Sequence, residues 1–174
     1  IVVVSDTSTK ITSQPTFRQT MFYNDASFGS SGPMPPQAGK DTAFTIHWQV
    51  VNPGSALNNA KIVGTLPQGV TWKNAVSVGA GQPQPTYNNN TSQVTWNLGT
   101  LPANIGVNGM PAYELIFQVT VRPSTTQVNL PAQVLLSPRL SGTDSLTGQS
   151  IVVTNPDLTT NSTVDRPGEG AVVQ

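Results

Sequence analysis

The chain has 174 residues and no formal net charge, with 9% charged against 36% hydrophobic residues. Sparse, unclustered Lys and Arg exclude binding to the phosphates of DNA or RNA, and they exclude a basic membrane-surface segment for the same reason. With no cysteine, disulfides, thiolate metal sites and a cysteine nucleophile are excluded together.

Solubility must come from neutral polar groups, since 64 residues are Thr, Ser, Asn or Gln. Three Trp and many β-branched residues separate this chain from polar disordered ones, so it should fold. No apolar run approaches the roughly 18 residues of a membrane-spanning helix, so membrane insertion is not expected. A start at Ile1, without Met or a charged leader, fits a processed mature form or a piece of a longer protein.

The chain opens on "IVVVSDTSTK": four apolar residues, Ile1, Val2, Val3 and Val4, followed by a polar connector. Residues 5–38 carry scattered apolar positions and end in "GPMPPQ", which reads as an extended arm containing one strand. From Gly39 onward a sandwich domain, residues 39–174, is expected. In "TAFTIHWQVVNPGS", Phe44, Ile46, Trp48 and Val50 share one face, and Asn52-Pro53-Gly54 turns the chain. "NAKIVGTL" and "GVTW" follow, separated by the Leu66-Pro67-Gln68-Gly69 turn. A looser segment, "GAGQPQPTYNNNTS", precedes "QVTWNLGTL", with Val94, Trp96 and Leu98 in phase. "YELIFQVTVRP" aligns Leu115, Phe117, Val119 and Val121, and "AQVLLSPRLSG" and "SIVVTNPDL" complete the set. Alternation at period two, punctuated by 15 Pro and 15 Gly, predicts an all-β, antiparallel β-sandwich with an extended N-terminal arm.

The stretches "AGKDTAFTIHWQVVNPGSALNNAKIVGTLPQGVTW", "VTWNLGTLPA", "LIFQVTVRP" and "LSGTDSLTGQSI" resemble a conserved-repeat, immunoglobulin-like β-sandwich domain of unknown function. That domain occurs in bacterial and archaeal cell-surface proteins, and the wording is similar to surface proteins of small-genome candidate-phylum bacteria. The skeleton maps to Gly39, Asn52 to Gly54, Leu66 to Gly69, Trp96 to Leu101, and Gly142 to Gly148, across about two-thirds of the chain. Where the family often has Asp before Thr-Leu-Pro, this chain has Gly64, which puts any cross-linking or metal role of that acid in doubt. The resemblance implies an immunoglobulin-like fold, an extracellular setting and a structural or adhesive role; it supplies no catalytic residues.

The residues themselves point away from catalysis. His47 is the only imidazole, expected on the solvent face of its strand, and no Gly-x-Ser-x-Gly elbow occurs. One His cannot build a zinc site, and no cofactor is expected. Asp144, in "GTDSLTG", suits hairpin turn chemistry. Lys61 and Glu114 are candidates for an internal Lys–Asn cross-link, but alternation puts Glu114 opposite the apolar face of its strand. Trp48 and Trp96 sit in core phase, whereas Trp72 is a weaker candidate for a sugar platform. Asn89, Asn90 and Asn161 lie in Asn-x-Ser/Thr sequons on predicted loops, as candidate acceptors for covalent glycans.

Ile1–Val4 suits two roles, the first strand of its own sandwich or a donor strand that completes a neighbour. Donor and acceptor surfaces differ, so donation runs head to tail and generates a filament of identical copies. The expected function is a non-enzymatic extracellular subunit of a surface filament. The alternatives are one module of a larger adhesin or surface-layer protein, and a carbohydrate-binding module.

Overall fold

Alternating burial drives the architecture. In the computed structural model, which describes residues 12–174, Phe44, Ile46, Trp48 and Val50 are fully buried while His47 and Gln49 lie on the opposite face. The same period buries Val94, Trp96 and Leu98 on one strand and Leu115, Phe117, Val119 and Val121 on another. β-Branched and aromatic residues favour this half-buried pleat.

The strands among the described residues are β1 (Thr16–Phe22), β2 (Thr42–Val51), β3 (Leu57–Thr65), β4 (Val70–Val78), β5 (Thr86–Asn88), β6 (Gln93–Leu101), β7 (Tyr113–Val121), β8 (Gln133–Asp144), β9 (Ser150–Thr154) and β10 (Leu158–Thr159). One sheet has the order β1-β2-β7-β4, and the other β10-β8-β3-β6-β5 with β9 also on β8. All these pairings are antiparallel; the chain crosses between the sheets at β2–β3, β3–β4, β4–β5, β6–β7 and β7–β8, as in an immunoglobulin-like sandwich.

The strand expected within residues 5–38 is β1. It pairs with β2 from Thr16↔Val51 to Phe22↔Thr45 and contributes Phe17 and Met21 to the core. "GVTW" extends further than its alternation suggests, because β4 continues past a two-residue register shift between Trp72 and Val76. Near the end of the chain Val172 is buried, with Val173 N–H donating to Pro36 O and Ala38 N–H to Val173 O.

Trp48 is the centre of the core. Phe17 meets it edge-on at 5.9 Å and Phe117 at 5.0 Å between ring centroids. Each such pair contributes about 0.5–1.5 kcal/mol beyond area burial. Its indole N–H donates to Gln19 Oε1 (3.2 Å), and that of Trp96 donates to Pro83 O (2.8 Å), so neither buried donor is left unpaired. Gly64 faces this centre: a Cβ there would stand 3.0 Å from Leu135 Cδ1 and 3.1 Å from Trp48 Cζ2. The absent side chain makes room for the indole.

Candidate functional site

The polar clusters that sequence could nominate for chemistry are used to hold the fold. Asp144 closes the β8–β9 hairpin, where its Oδ1 accepts from the amides of Leu146 (2.9 Å) and Thr147 (2.8 Å). Its Oδ2 accepts from the Ser13 amide (2.7 Å) and the Ser55 hydroxyl. Ser13 in turn donates its hydroxyl to Asn52 Oδ1, and Asn52 Nδ2 donates to Ser55 O and Pro102 O. One buried carboxylate thus joins the arm, the β2–β3 turn and the β8–β9 hairpin, with Asn52 extending the network to Pro102. The Ser55 hydroxyl, then the Ser13 and Thr147 amides, hold its carboxyl well below the usual carboxylate range. The expected turn role is present, but it is only half of what Asp144 does.

His47 departs from the solvent-facing position expected of it. It lies on the outer face of β2, yet the loop after β1 covers it, and Nε2 stands 2.7 Å from Asp25 Oδ2. Nδ1 faces Glu114 Oε1 at 3.6 Å, and the Phe22 ring packs edge-on at 5.1 Å. Burial pushes the Asp25 carboxyl up, but the His47 hydrogen bond, the Ser27 and Phe28 amides and the His47 charge outweigh it, for a net lowering. Both ring nitrogens face carboxylates, Asp25 at hydrogen-bond distance and Glu114 beyond it, so the imidazole bridges the loop after β1 to the outer face of β2 and β7. Alternation alone could not find this pair, because Asp25 is brought in by a loop.

The remaining nominees are dispersed. Lys61 is exposed on β3, paired with Asn97 and Ser141 on its neighbours, while Glu114 sits on β7 in the other sheet. The cross-link candidates are therefore not brought together. Lys73 Nζ instead donates to Gln118 Oε1 at 2.9 Å. Trp72 is half-buried, stacked on Tyr87 (5.6 Å, 14°) and packed against Phe117, so its rings serve the sandwich rim. Asn89 and Asn90 are exposed in the β5–β6 turn. Asn161 is exposed, but the Thr163 of its sequon is buried and donates its hydroxyl to Arg166 O. Among the described residues no three His, Cys, Asp or Glu side chains are grouped to hold a metal ion.

What is left is a question of sheet edges. The outer edge of β1 is covered: Val164 N–H donates to Met21 O, Asn155 Nδ2 to Phe17 O, and Gln19 Nε2 to Pro156 O. On β4 the register shift, exposed Lys73 and Asn74 at φ 56° break the edge, devices that oppose strand addition. β5 has three residues and β10 two. β9 is different. It reads Ser-Ile-Val-Val-Thr, without charge, Pro or a register shift, and Val152 is 59% exposed.

Beside β9 lies a groove lined by Thr12, Ser13 and Pro15 on one side and by Ile151 and Val153 on the other. The arm thus meets the described body next to the barest edge. Ile1, Val2, Val3 and Val4 lie outside the described residues.

No family model matches the chain, and no curated protein sequence is similar to it. Solved structures are similar. The major pilin subunit BcpA of Bacillus cereus matches at TM-score 0.50 and 11% identity, over 84% of this chain and 39% of that one. The 35 kDa C-terminal fragment of the major pilin GBS80 of Streptococcus agalactiae matches at TM-score 0.48 and 8% identity, over 84% and 55%. A GH20 exo-β-N-acetylglucosaminidase from Vibrio harveyi matches at TM-score 0.40 and 11% identity, over 90% and 18%. The likeness is one of fold: an all-β sandwich of the kind found in pilin domains. This chain spans about two-fifths of the length of BcpA and just over half of the GBS80 fragment. No helix among the described residues is long and apolar enough to cross a membrane.

Proposed function

We propose that the chain is a non-catalytic structural subunit of an extracellular surface filament, assembled head to tail by strand exchange through Ile1–Val4. The observation that carries this reading is the β9 edge. The sandwich buries its aromatic core and ties its charged clusters into structural networks, yet has one uncharged, β-branched edge beside the arm that no strand among the described residues covers. A filament needs a donor and an acceptor on different surfaces of one subunit, and a strand and a sheet edge supply them. The pilin-like sandwich is consistent with this role, and Asn89 and Asn90 are the sites where a covalent glycan would sit clear of the body.

A second reading keeps the structural role but makes the chain one module of a longer surface protein; a match to only 39% of BcpA is consistent with it. Negative-stain electron microscopy of the full chain, against a chain lacking residues 1–10, separates the two. Filaments that vanish on truncation support strand exchange. A monodisperse particle at high concentration, unfolded by the same truncation, makes Ile1–Val4 an internal strand and favours the module.

A further inference from the structure

We infer that β9 is the acceptor: Ile1–Val4 of a second copy adds to the outer edge of Ser150–Thr154. The inference rests on the strand-exchange reading and names the surface that receives the strand.

The phase of the β8–β9 ladder decides which groups are free. Asp144 N–H donates to Gln149 O at one end, and Asn155 N–H to Pro138 O at the other. Both contacts are in register with Thr143↔Ser150 through Arg139↔Thr154. Hydrogen-bonded and non-hydrogen-bonded pairs alternate along an antiparallel ladder. Ile151 and Val153 therefore direct N–H and C=O toward β8, while Ser150, Val152 and Thr154 direct theirs outward. Among the described residues no backbone partner takes those outward groups, and all three residues are exposed.

The surroundings specify the occupant. On the core side of this edge stand the half-buried Ile151 and Val153, with Pro15 across the groove. On the other face stands exposed Val152. A strand laid here has apolar neighbours above and below, so it should be apolar on both faces, as fully buried strands are. A strand with alternating polar residues would set them against one of these walls. Ile1-Val2-Val3-Val4 has no polar side chain on either face.

Reach is also sufficient. Thr12 donates its hydroxyl to Gln149 Oε1, which fixes the arm at the start of β9. Residues 5–11 can span up to about 23 Å when extended, at roughly 3.3 Å per residue. The same figure gives β9 a length of about 16 Å, so the connector is long enough to carry Ile1–Val4 clear of its own β9 and present them to the β9 of an adjacent copy.

The absence of native cysteine makes a cross-linking test clean. Full-length chains bearing Val3→Cys and one affinity tag are mixed with chains bearing Ser150→Cys, Val152→Cys or Thr154→Cys and a second tag. Controls carry Asn88→Cys at the β5 edge or Gln19→Cys on β1. A disulfide between the two tags can only join different copies. The inference predicts it at β9 and not at the controls. It also predicts that Val152→Lys, a change at an exposed position, raises the concentration needed for filaments by about tenfold or more while leaving the unfolding midpoint of the single subunit unchanged.

Filaments that form normally but cross-link at a control edge, or that tolerate Val152→Lys, would overturn the acceptor while leaving strand exchange intact. Cross-links to β9 found only within one chain, in a Val3→Cys/Val152→Cys variant without filaments, would overturn both.

Discussion

Gly64→Asp is expected to be among the more damaging single changes in this chain. The Cβ alone would contact two fully buried groups, Leu135 Cδ1 at 3.0 Å and Trp48 Cζ2 at 3.1 Å. Overpacking of this kind costs about 1–3 kcal/mol. Replacing glycine also lowers the freedom of the unfolded chain, which returns about 0.4–1 kcal/mol. Gly64→Ala should therefore lose about 1 kcal/mol. Aspartate adds a carboxylate against an indole and a leucine, with an effective penalty of several kcal/mol for the charged form. The total loss near neutral pH is about 4 kcal/mol or more, against a typical stability of about 5–15 kcal/mol. Burial raises the folded-state pKa of such a group, so its penalty is greatest well above the unfolded value and shrinks as pH falls toward about 4. Urea unfolding followed by tryptophan fluorescence, with the m-value held as a check, reads all three effects. A Gly64→Asp chain within about 1 kcal/mol of the parent at neutral pH would refute this account of the packing.

Asp144 and Asp25 both have carboxyls lowered from an ordinary value of 3.8. Groups lowered on folding contribute stability that is present above 3.8 and lost as pH falls through their folded values, so unfolding midpoints should hold from neutral pH to about 4 and fall below it. Asp144→Asn should flatten that acid limb, because a carboxamide does not titrate, and should lower stability at neutral pH, because its nitrogen cannot accept from the Ser13 amide; an unchanged limb would contradict the hub. His47→Leu should cost about 1–3 kcal/mol by leaving the buried Asp25 carboxylate without its imidazole, and a neutral result in the same unfolding assay would mean the pair contributes nothing. Trp96→Ala should cost about 3–5 kcal/mol as a core truncation, with Trp72→Ala costing less at the rim; the reverse order would displace the core from where it is drawn. Mass spectrometry of the protein from its own cells should find any sequon glycan on Asn89 or Asn90, since the hydroxyl of Thr163 is buried in its own bond; a glycan on Asn161 would show otherwise.

Strands with strict alternation could be read from sequence because one face of each is buried. β2, β6 and β7 lie where Phe44 to Val50, Val94 to Leu98 and Leu115 to Val121 place them. Trp48 and Trp96 are core residues for the same reason. The second half of β4 is hidden because the register shift near Asn74 breaks the period, and β5 because three residues carry no period at all. Asp144 was legible as a turn residue from its hairpin motif. Its second oxygen reaches Ser13, which is 131 residues away in the chain, and no local pattern encodes such a contact. The Asp25–His47 pair escapes for the same reason, with a loop folding over a strand that reads as exposed. The β9 edge was half legible: "SIVVT" reads as an uncharged strand, but only the sheet order shows that nothing among the described residues continues the sheet beyond it.

The central claim, that Ile1–Val4 pairs between copies, is tested most directly by static light scattering on mixtures of the parent with Val2→Asp/Val4→Asp chains. Such a variant keeps an acceptor but has no apolar strand to donate, so it ends a head-to-tail chain wherever it adds. The account predicts that mean mass falls steadily as the variant fraction rises, toward the 18.3 kDa of one subunit. A mass that stays at one subunit for the parent alone, or polymers whose mass ignores the variant, would contradict it.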